Sequence, residues 1–264
     1  MQLLTNDRII LPGQRLKLMV AAPDQIGLAG VQSDLGIRFS LAGDDGRTAE
    51  ASLADLDVAR VRAAAAFLPM SVAEIGADRL APGAYTVRAD TPTRPVAARD
   101  IAIASADQER ELMRVMTADR LERRTRVEGP EAIRQAWWDG WNGLLDYLDV
   151  RPSPPVGFTV APSGFSGAPL VADALVFAAF HVLRFAWDQV FYGGTVVVEG
   201  ADEAAGRFRI RVLSRSLPVS PELPPALRQL LDSLRDDGVP TDVTWTVDGA
   251  TGTLGLAFGA GGGV

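Results

Sequence analysis

Apolar and polar residues alternate in three short runs of the first hundred positions: "RLKLMV" (Arg15 to Val20), "IRFSLAG" (Ile37 to Gly43) and "AYTVRAD" (Ala84 to Asp90). Turn residues flank them in the segments "LPG", "DDG" and "APG". A period of two bounded by Pro and Gly is the pattern of a strand with one face buried. Short strands at this spacing across residues 8 to 104 predict an antiparallel β-sandwich, taken as a domain over 1–105. The segment "ARVRAAAAFLPM" is ambiguous, because its alanines favour helix while its setting suits a strand buried on both faces.

From Asp107 the period lengthens to that of a helix, with Leu112, Val115 and Met116 on one side, until Gly129 and Pro130 interrupt it. Pro130 then opens a second helix, a position where proline is tolerated because the first-turn amide has no intrahelical acceptor. In "PEAIRQAWWDGWNGLLDYLDV" the residues Ile133, Trp137, Trp141, Leu144, Leu145 and Leu148 share one face, with Trp138 on its flank. These helices read as a connector over 106–150, followed by a Pro/Gly-rich linker over 151–169. Residues 170–258 then run helix, strand "GTVVVEG", strand "RFRIRVLS", helix "PPALRQLLDSLRDDG" and hairpin "DVTWTVDGATGTLGLAF". That order predicts a C-terminal two-layer α/β sandwich, so the fold class is α+β, ending in a flexible tail over 259–264.

Composition narrows what such a chain does. With 47% apolar and 22% charged residues it is core-forming rather than disordered. A net charge of −7 argues against nucleic acid and anionic membrane as partners, since phosphates are bound by concentrated Lys and Arg. The densest arginine stretch, Asp107 to Glu128, interleaves its cations with acids and leaves no basic stripe. The absence of cysteine removes disulfides, thiolate metal sites and thiol nucleophiles, and fits a cytoplasmic location. The start "MQLLTNDRIILPGQ" lacks the pattern of a secretory signal, and "PLVADALVFAAFHVLRFAW" is interrupted by Asp173, His181 and Arg184, so no membrane span is expected.

The single histidine, His181, rules out zinc sites built from several histidines. It shares a helix face with Asp173, Phe177, Arg184 and Asp188, a polar stripe that either lines a site or meets a packed neighbour; His181 and Arg184 are kept as interaction candidates. "GFSGA" differs from the G-x-S-x-G nucleophile elbow at its last position, and Ser166, Asp173 and His181 crowd into sixteen residues; a hydrolase using Ser166 is the disfavoured alternative, beside one using a pair of carboxylates. The turns "AGDDGR" and "RDDG" lack the alternating oxygen ligands of a calcium loop. The three clustered tryptophans carry the most weight. Trp137 and Trp141 fit the joint between two domains, and Trp138, pointing sideways, is the ring left available to a partner.

Two resemblances accompany these readings. Through "LPGQRLKL", "QSDLGIRFSLAGDDGR", "SLADLDVARVRAAAAF" and "DGWNGLLDYLDV", residues 10–150 resemble the TerD family of stress and tellurium-resistance proteins. That resemblance implies a β-sandwich and calcium held by acidic loops, with Asp34 as the matching ligand and Gly36 where the family has a second aspartate. Through "ALVFAAFHVLRFAWDQVFYGGTVVVEGADEAAGRFRIRV" and "SPELPPALRQLL", residues 155–258 are similar to the C-terminal domain of bacterial histidine phosphotransferases, a degenerate relative of the histidine-kinase ATPase fold. The Asn, D-x-G and G-x-G features that hold ATP in active relatives are missing from the corresponding positions. The expectation is a bacterial, non-catalytic interaction or adaptor protein with a protein partner and no cofactor, linked to the stress response; the alternatives are a calcium-linked TerD-like stress protein and a degenerate phosphotransfer-type signalling adaptor.

Overall fold

Each of the three alternating runs is a strand in the computed structural model, which describes residues 2–21, 37–51, 69–76, 79–91, 94–105, 107–108, 129–150, 156–161, 169–200, 207–214, 228, 232, 235–236 and 241–258. The chain divides into two compact units. Unit 1 holds residues 1–110, 147–155 and 191–193; unit 2 holds 111–146, 156–190 and 194–264.

Unit 1 contains β1 (Gln2–Thr5), β2 (Ile9–Ile10), β3 (Arg15–Ala21), β4 (Arg38–Gly43), β5 (Thr48–Ala51), β6 (Pro69–Gly76), β7 (Gly83–Thr91) and β8 (Arg94–Ile103). They form a three-stranded sheet, β1-β3-β6, and a five-stranded sheet, β2-β8-β7-β4-β5, antiparallel except where β2 runs parallel to β8. Inward residues of both sheets, among them Leu16, Leu18, Val20, Phe39, Leu41, Ile75, Val87 and Ile101, make one core, as in a β-sandwich. β1 lies ahead of the region that alternation marks as strand. It is anchored by Asn6, whose side chain donates to Arg15 O at 3.0 Å and accepts from Lys17 N at 2.8 Å.

The turns follow the sequence. Gln14 N donates to Leu11 O at 3.1 Å, and Gly13 takes a φ of 79°, so "LPGQ" is a turn with proline second and left-handed glycine third. "GDDGR" joins β4 to β5, with Gly46 at φ 81° and Arg47 N donating to Asp45 Oδ1 at 3.0 Å. Tyr85, the first inward residue of β7, turns its hydroxyl back to donate to Ala81 O at 2.8 Å and ties the strand to the turn before it. At the end of the sandwich, Ser105 and Gln108 form a reciprocal cap: Gln108 N donates to Ser105 Oγ at 3.2 Å and Ser105 N to Gln108 Oε1 at 2.7 Å. Residues 107–108 are helical, where the longer period begins; the rest of that expected helix lies outside the described residues.

Unit 2 takes in nearly all of helix α1 (Gly129–Tyr147), with β9 (Val156–Val160), helix α2 (Pro169–Val190), β10 (Gly194–Gly200), β11 (Arg207–Leu213), β12 (Thr241–Asp248) and β13 (Thr251–Phe258). The sheet order is β12-β13-β11-β10-β9. Its helix-facing side buries Val156, Val196, Val198, Phe208, Ile210, Val212 and Leu254. Both helices lie on this side: Trp137 of α1 meets Phe208 of β11, and Phe185 of α2 meets Trp245 of β12. The other side exposes Gly157, Thr159, Arg209, Thr244 and Thr246. Alternation with burial on one face is what a two-layer α/β sandwich requires.

Two features differ from the expectation. The stretch read as a 151–169 linker contains β9, which pairs parallel with β10. Parallel neighbours need a long crossover, and α2 supplies it, so β9-α2-β10 is a β-α-β unit. The signal is the alternation of Val156, Phe158 and Val160 in "VGFTV", hidden among prolines. The tryptophan helix, expected as a connector, packs into unit 2 itself, as its ring contacts show below. In the hairpin, Gly249 has a φ of 58° and is the first of two loop residues between Asp248 and Thr251, an arrangement that favours glycine at that place. Gly194, which opens β10, admits no side chain, because a Cβ there would run into the Leu213 carbonyl.

Candidate interaction site

Successive residues on a helix point about 100° apart, so Trp137 and Trp141 share a face and Trp138 turns off it. Trp137 is fully buried and Trp141 3% exposed, whereas Trp138 is 38% exposed. The rings form a connected series. Trp137 meets Phe208 edge-on at 5.8 Å. Trp141 stacks on Phe158 at 4.5 Å with planes 8° from parallel, and tilts toward Trp187 at 5.9 Å. Trp138 sets its edge against the same Phe158 at 4.8 Å and 89°. Every partner in this series belongs to unit 2. The outermost indole therefore rests on a ring that is itself clamped by a buried ring. Edge-to-face and stacked pairs contribute about 0.5–1.5 kcal/mol each beyond area burial.

Trp138 has Arg134, Gln135, Trp141 and Asn142 as its neighbours along the helix surface. Gln135 Nε2 donates to Asp139 Oδ1 at 2.8 Å, and Asp146 is exposed two turns further on. Arg134 is paired with Glu131, and the last turn has no basic residue to offset the negative end of the helix dipole.

On α2, His181 is half-buried and meets Phe180 edge-on at 5.1 Å. Burial, and then the nearby Arg184 cation, pull its pKa down to about 4. The ring is neutral at pH 7 and carries no charge toward an anion. Arg184 and Asp188 follow at helical spacing, both half-buried, and Gln189 Nε2 donates to Asp188 Oδ2 at 3.2 Å. The side chains of Asp173 and Phe177, together with Ser166 and Asp34, lie outside the described residues. Among the described residues no group of three or more His, Asp or Glu side chains is placed to share a metal ion. No described helix is long and apolar enough to cross a membrane.

Unit 1 contributes a feature that no sequence motif marks: a cavity of about 280 Å³ lined by Arg8, Ala98, Arg99, Asp100 and Asp149. Arg99 Nη1 donates to Leu3 O at 3.3 Å, while its Nε and Nη2 are buried without a partner. Burial lowers its pKa, and the Asp149 carboxylate opposes that shift. Asp149 itself has a φ of 50°. These residues come from three distant parts of the chain, so only folding brings them together.

No family model matches the chain, and no curated protein matches it. The TerD resemblance is thus without support from these comparisons. Similar solved structures include a bacterial phosphotransferase, at 17% identity over 45% of this chain and 62% of that one, with a TM-score of 0.32. A histidine kinase domain from the blue-light activated histidine kinase of Erythrobacter litoralis is 12% identical over 59% of this chain and 75% of its own, with a TM-score of 0.37. A histidine kinase from Burkholderia phymatum is 14% identical over 58% and 78% respectively, with a TM-score of 0.36. The chain spans about three-fifths of the length of the phosphotransferase it matches.

Proposed function

We propose that this chain is a non-catalytic interaction protein, an adaptor that binds another protein through the surface centred on Trp138. The observation that carries this reading is the 38% exposure of Trp138 on a fixed aromatic base, Phe158 over Trp141. Tryptophan is enriched among the residues that dominate binding energy, and a ring held rigidly before binding loses little entropy on capture. His181, neutral above a pKa of about 4 and half-buried beside Phe180, serves packing in this reading.

Capture of partners by the purified protein tests it. Trp138→Ala should lose its captured partner while keeping the melting temperature of the parent to within a few degrees. An unchanged set of partners would refute the role of this ring. In parallel, calcium, magnesium, ATP and a chelator should each leave the melting temperature unchanged. A ligand bound only by the folded state raises it by mass action, so a gain with calcium, lost in Asp34→Ala, would favour the calcium-linked stress role instead.

A second reading, a signalling adaptor descended from phosphotransfer proteins, is favoured by the order α2, Gly-Gly turn, β10, β11, which follows the resemblance of residues 155–258. It makes the same prediction at Trp138. It differs in expecting that the captured partner is a component of a phosphorylation-dependent signalling system.

A further inference from the structure

We infer that the unit 1 cavity lined by Arg8, Arg99 and Asp149 is a binding site for a small free α-amino acid, whose carboxylate the arginines hold and whose ammonium group Asp149 holds. This goes beyond the reading of Trp138 and does not depend on it, since the cavity and that ring share no residue.

Strand alternation puts Arg99 in an unusual place. Along β8 the side chains of Ala97, Arg99, Ile101 and Ile103 fall on one face; Ile101 and Ile103 belong to the sandwich core, and Ala97 packs against it. An arginine on that face carries its guanidinium out of water, where each donor needs an acceptor. Nη1 has Leu3 O at 3.3 Å, but Nε and Nη2 have no acceptor among the described residues. Asp149 acts on Arg99 through its charge, without a hydrogen bond between them. It stands just past α1 at a φ of 50°, a conformation that aspartate tolerates better than most residues, and Gln2 Nε2 donates to its carbonyl at 3.4 Å. No described group donates to its carboxylate. One cavity thus holds donors that lack an acceptor and a carboxylate open to a donor.

Charge selects the ligand. Arg8 and Arg99 bring two cations, and Asp100 and Asp149 two anions, to a space of about 280 Å³. A ligand of one sign meets repulsion as well as attraction there, whereas one with both signs a few bonds apart is attracted at each end. The guanidinium fork of Arg99 matches a carboxylate, which supplies the acceptor that Nε and Nη2 lack. Arg8, exposed and donating from Nη1 to Tyr147 O at 3.5 Å, adds a second guanidinium. Asp100 already accepts from Thr86 Oγ1 at 2.8 Å, so Asp149 is the seat of the ammonium. The volume lies just under the roughly 300–1,000 Å³ of sites for drug-sized ligands, and Ala98 is the apolar residue of the lining, which suits a short side chain. Both aspartates repel a polyanion, in keeping with the expected indifference to ATP.

Equilibrium dialysis of the full chain against radiolabelled glycine, L-alanine and L-serine tests this. Saturable binding of at least one of them to a single site is expected, with propionate and ethylammonium, each carrying one of the two charges, competing at least about tenfold more weakly. Asp149→Asn keeps the shape and accepts the same backbone conformation, so it should melt like the parent yet weaken binding about tenfold or more. Arg99→Met should abolish binding; if that variant fails to fold, Arg8→Gln, at the exposed guanidinium, takes its place and should weaken binding. No saturable binding of any of the three amino acids, or binding unchanged in Asp149→Asn, overturns the site. Propionate competing as well as the amino acid shows a site for carboxylates alone and overturns the part given to Asp149. Partner capture through Trp138 is measured separately, so none of these results bears on that ring.

Discussion

Trp141 lies flat on Phe158, their centroids 4.5 Å apart and their planes 8° from parallel, which fastens helix α1 to the border strand β9. The contact joins α1, in the segment taken for a connector, to β9, in the one taken for a linker, within unit 2. It also fixes the ring on which Trp138 rests. Neighbouring indoles should therefore have very different energetic weights. Trp137→Ala and Trp141→Ala each remove a buried indole and should destabilise by about 3–5 kcal/mol. Trp138→Ala should cost no more than about 1 kcal/mol, since much of that ring is already in water. Urea midpoints of the three variants check this, and a Trp138→Ala cost equal to that of Trp141→Ala would show that the exposed ring is structural.

Two glycines in α1 should respond in opposite directions. A Cβ on Gly140 would lie 3.1 Å from Ala179 Cβ and 3.4 Å from Leu183 Cδ1, so this glycine lets α1 approach α2 closely. Gly140→Val should destabilise by about 1–3 kcal/mol through overpacking. Gly143 has nothing within 4 Å of such a Cβ and is exposed. Gly143→Ala should stabilise by about 0.5–1 kcal/mol, because glycine in a helix interior loses more backbone entropy than alanine. Equilibrium unfolding of both variants gives the two signs.

His181 should make stability fall in mildly acid solution. The folded ring takes a proton near pH 4, and the unfolded ring near its ordinary 6.5. Above 6.5 neither state binds the proton and the residue has no effect. Between 6.5 and 4 the unfolded chain is protonated and the folded one is not, so stability declines as pH falls, by up to about 3 kcal/mol, and this contribution levels off below 4. Carboxylates titrate in the lower part of the same range. The difference between parent and His181→Gln, followed by urea unfolding from pH 7.5 to 4, isolates the histidine, and parallel curves would contradict its depressed pKa.

In unit 1, Tyr85→Phe removes the hydroxyl that donates to Ala81 O at 2.8 Å and leaves that carbonyl without it. A loss of about 1–2 kcal/mol is expected, with the ring still packed in the core. Thermal unfolding measures it. No change would mean that water replaces the hydroxyl at no cost.

The sequence alone determined the elements whose period was uninterrupted. Strands at Arg15, Arg38 and Gly83, both helices around the tryptophans and His181, and the final hairpin announce themselves because side-chain direction repeats locally, every two or every 3.6 residues. The same local rule separates Trp138 from Trp137 and Trp141, so the candidate surface was legible as three residues on one helix. Tertiary structure decided what each face meets. Val156, Phe158 and Val160 are too few, and too closely hemmed by prolines, to be recognised as a strand; pairing with β10 across the α2 crossover makes them one. Phe158 beneath Trp138, and Arg8, Arg99 and Asp149 around one cavity, are likewise long-range pairings. Such contacts depend on how distant segments bury their apolar faces together, a condition on the whole chain that no short window of residues contains.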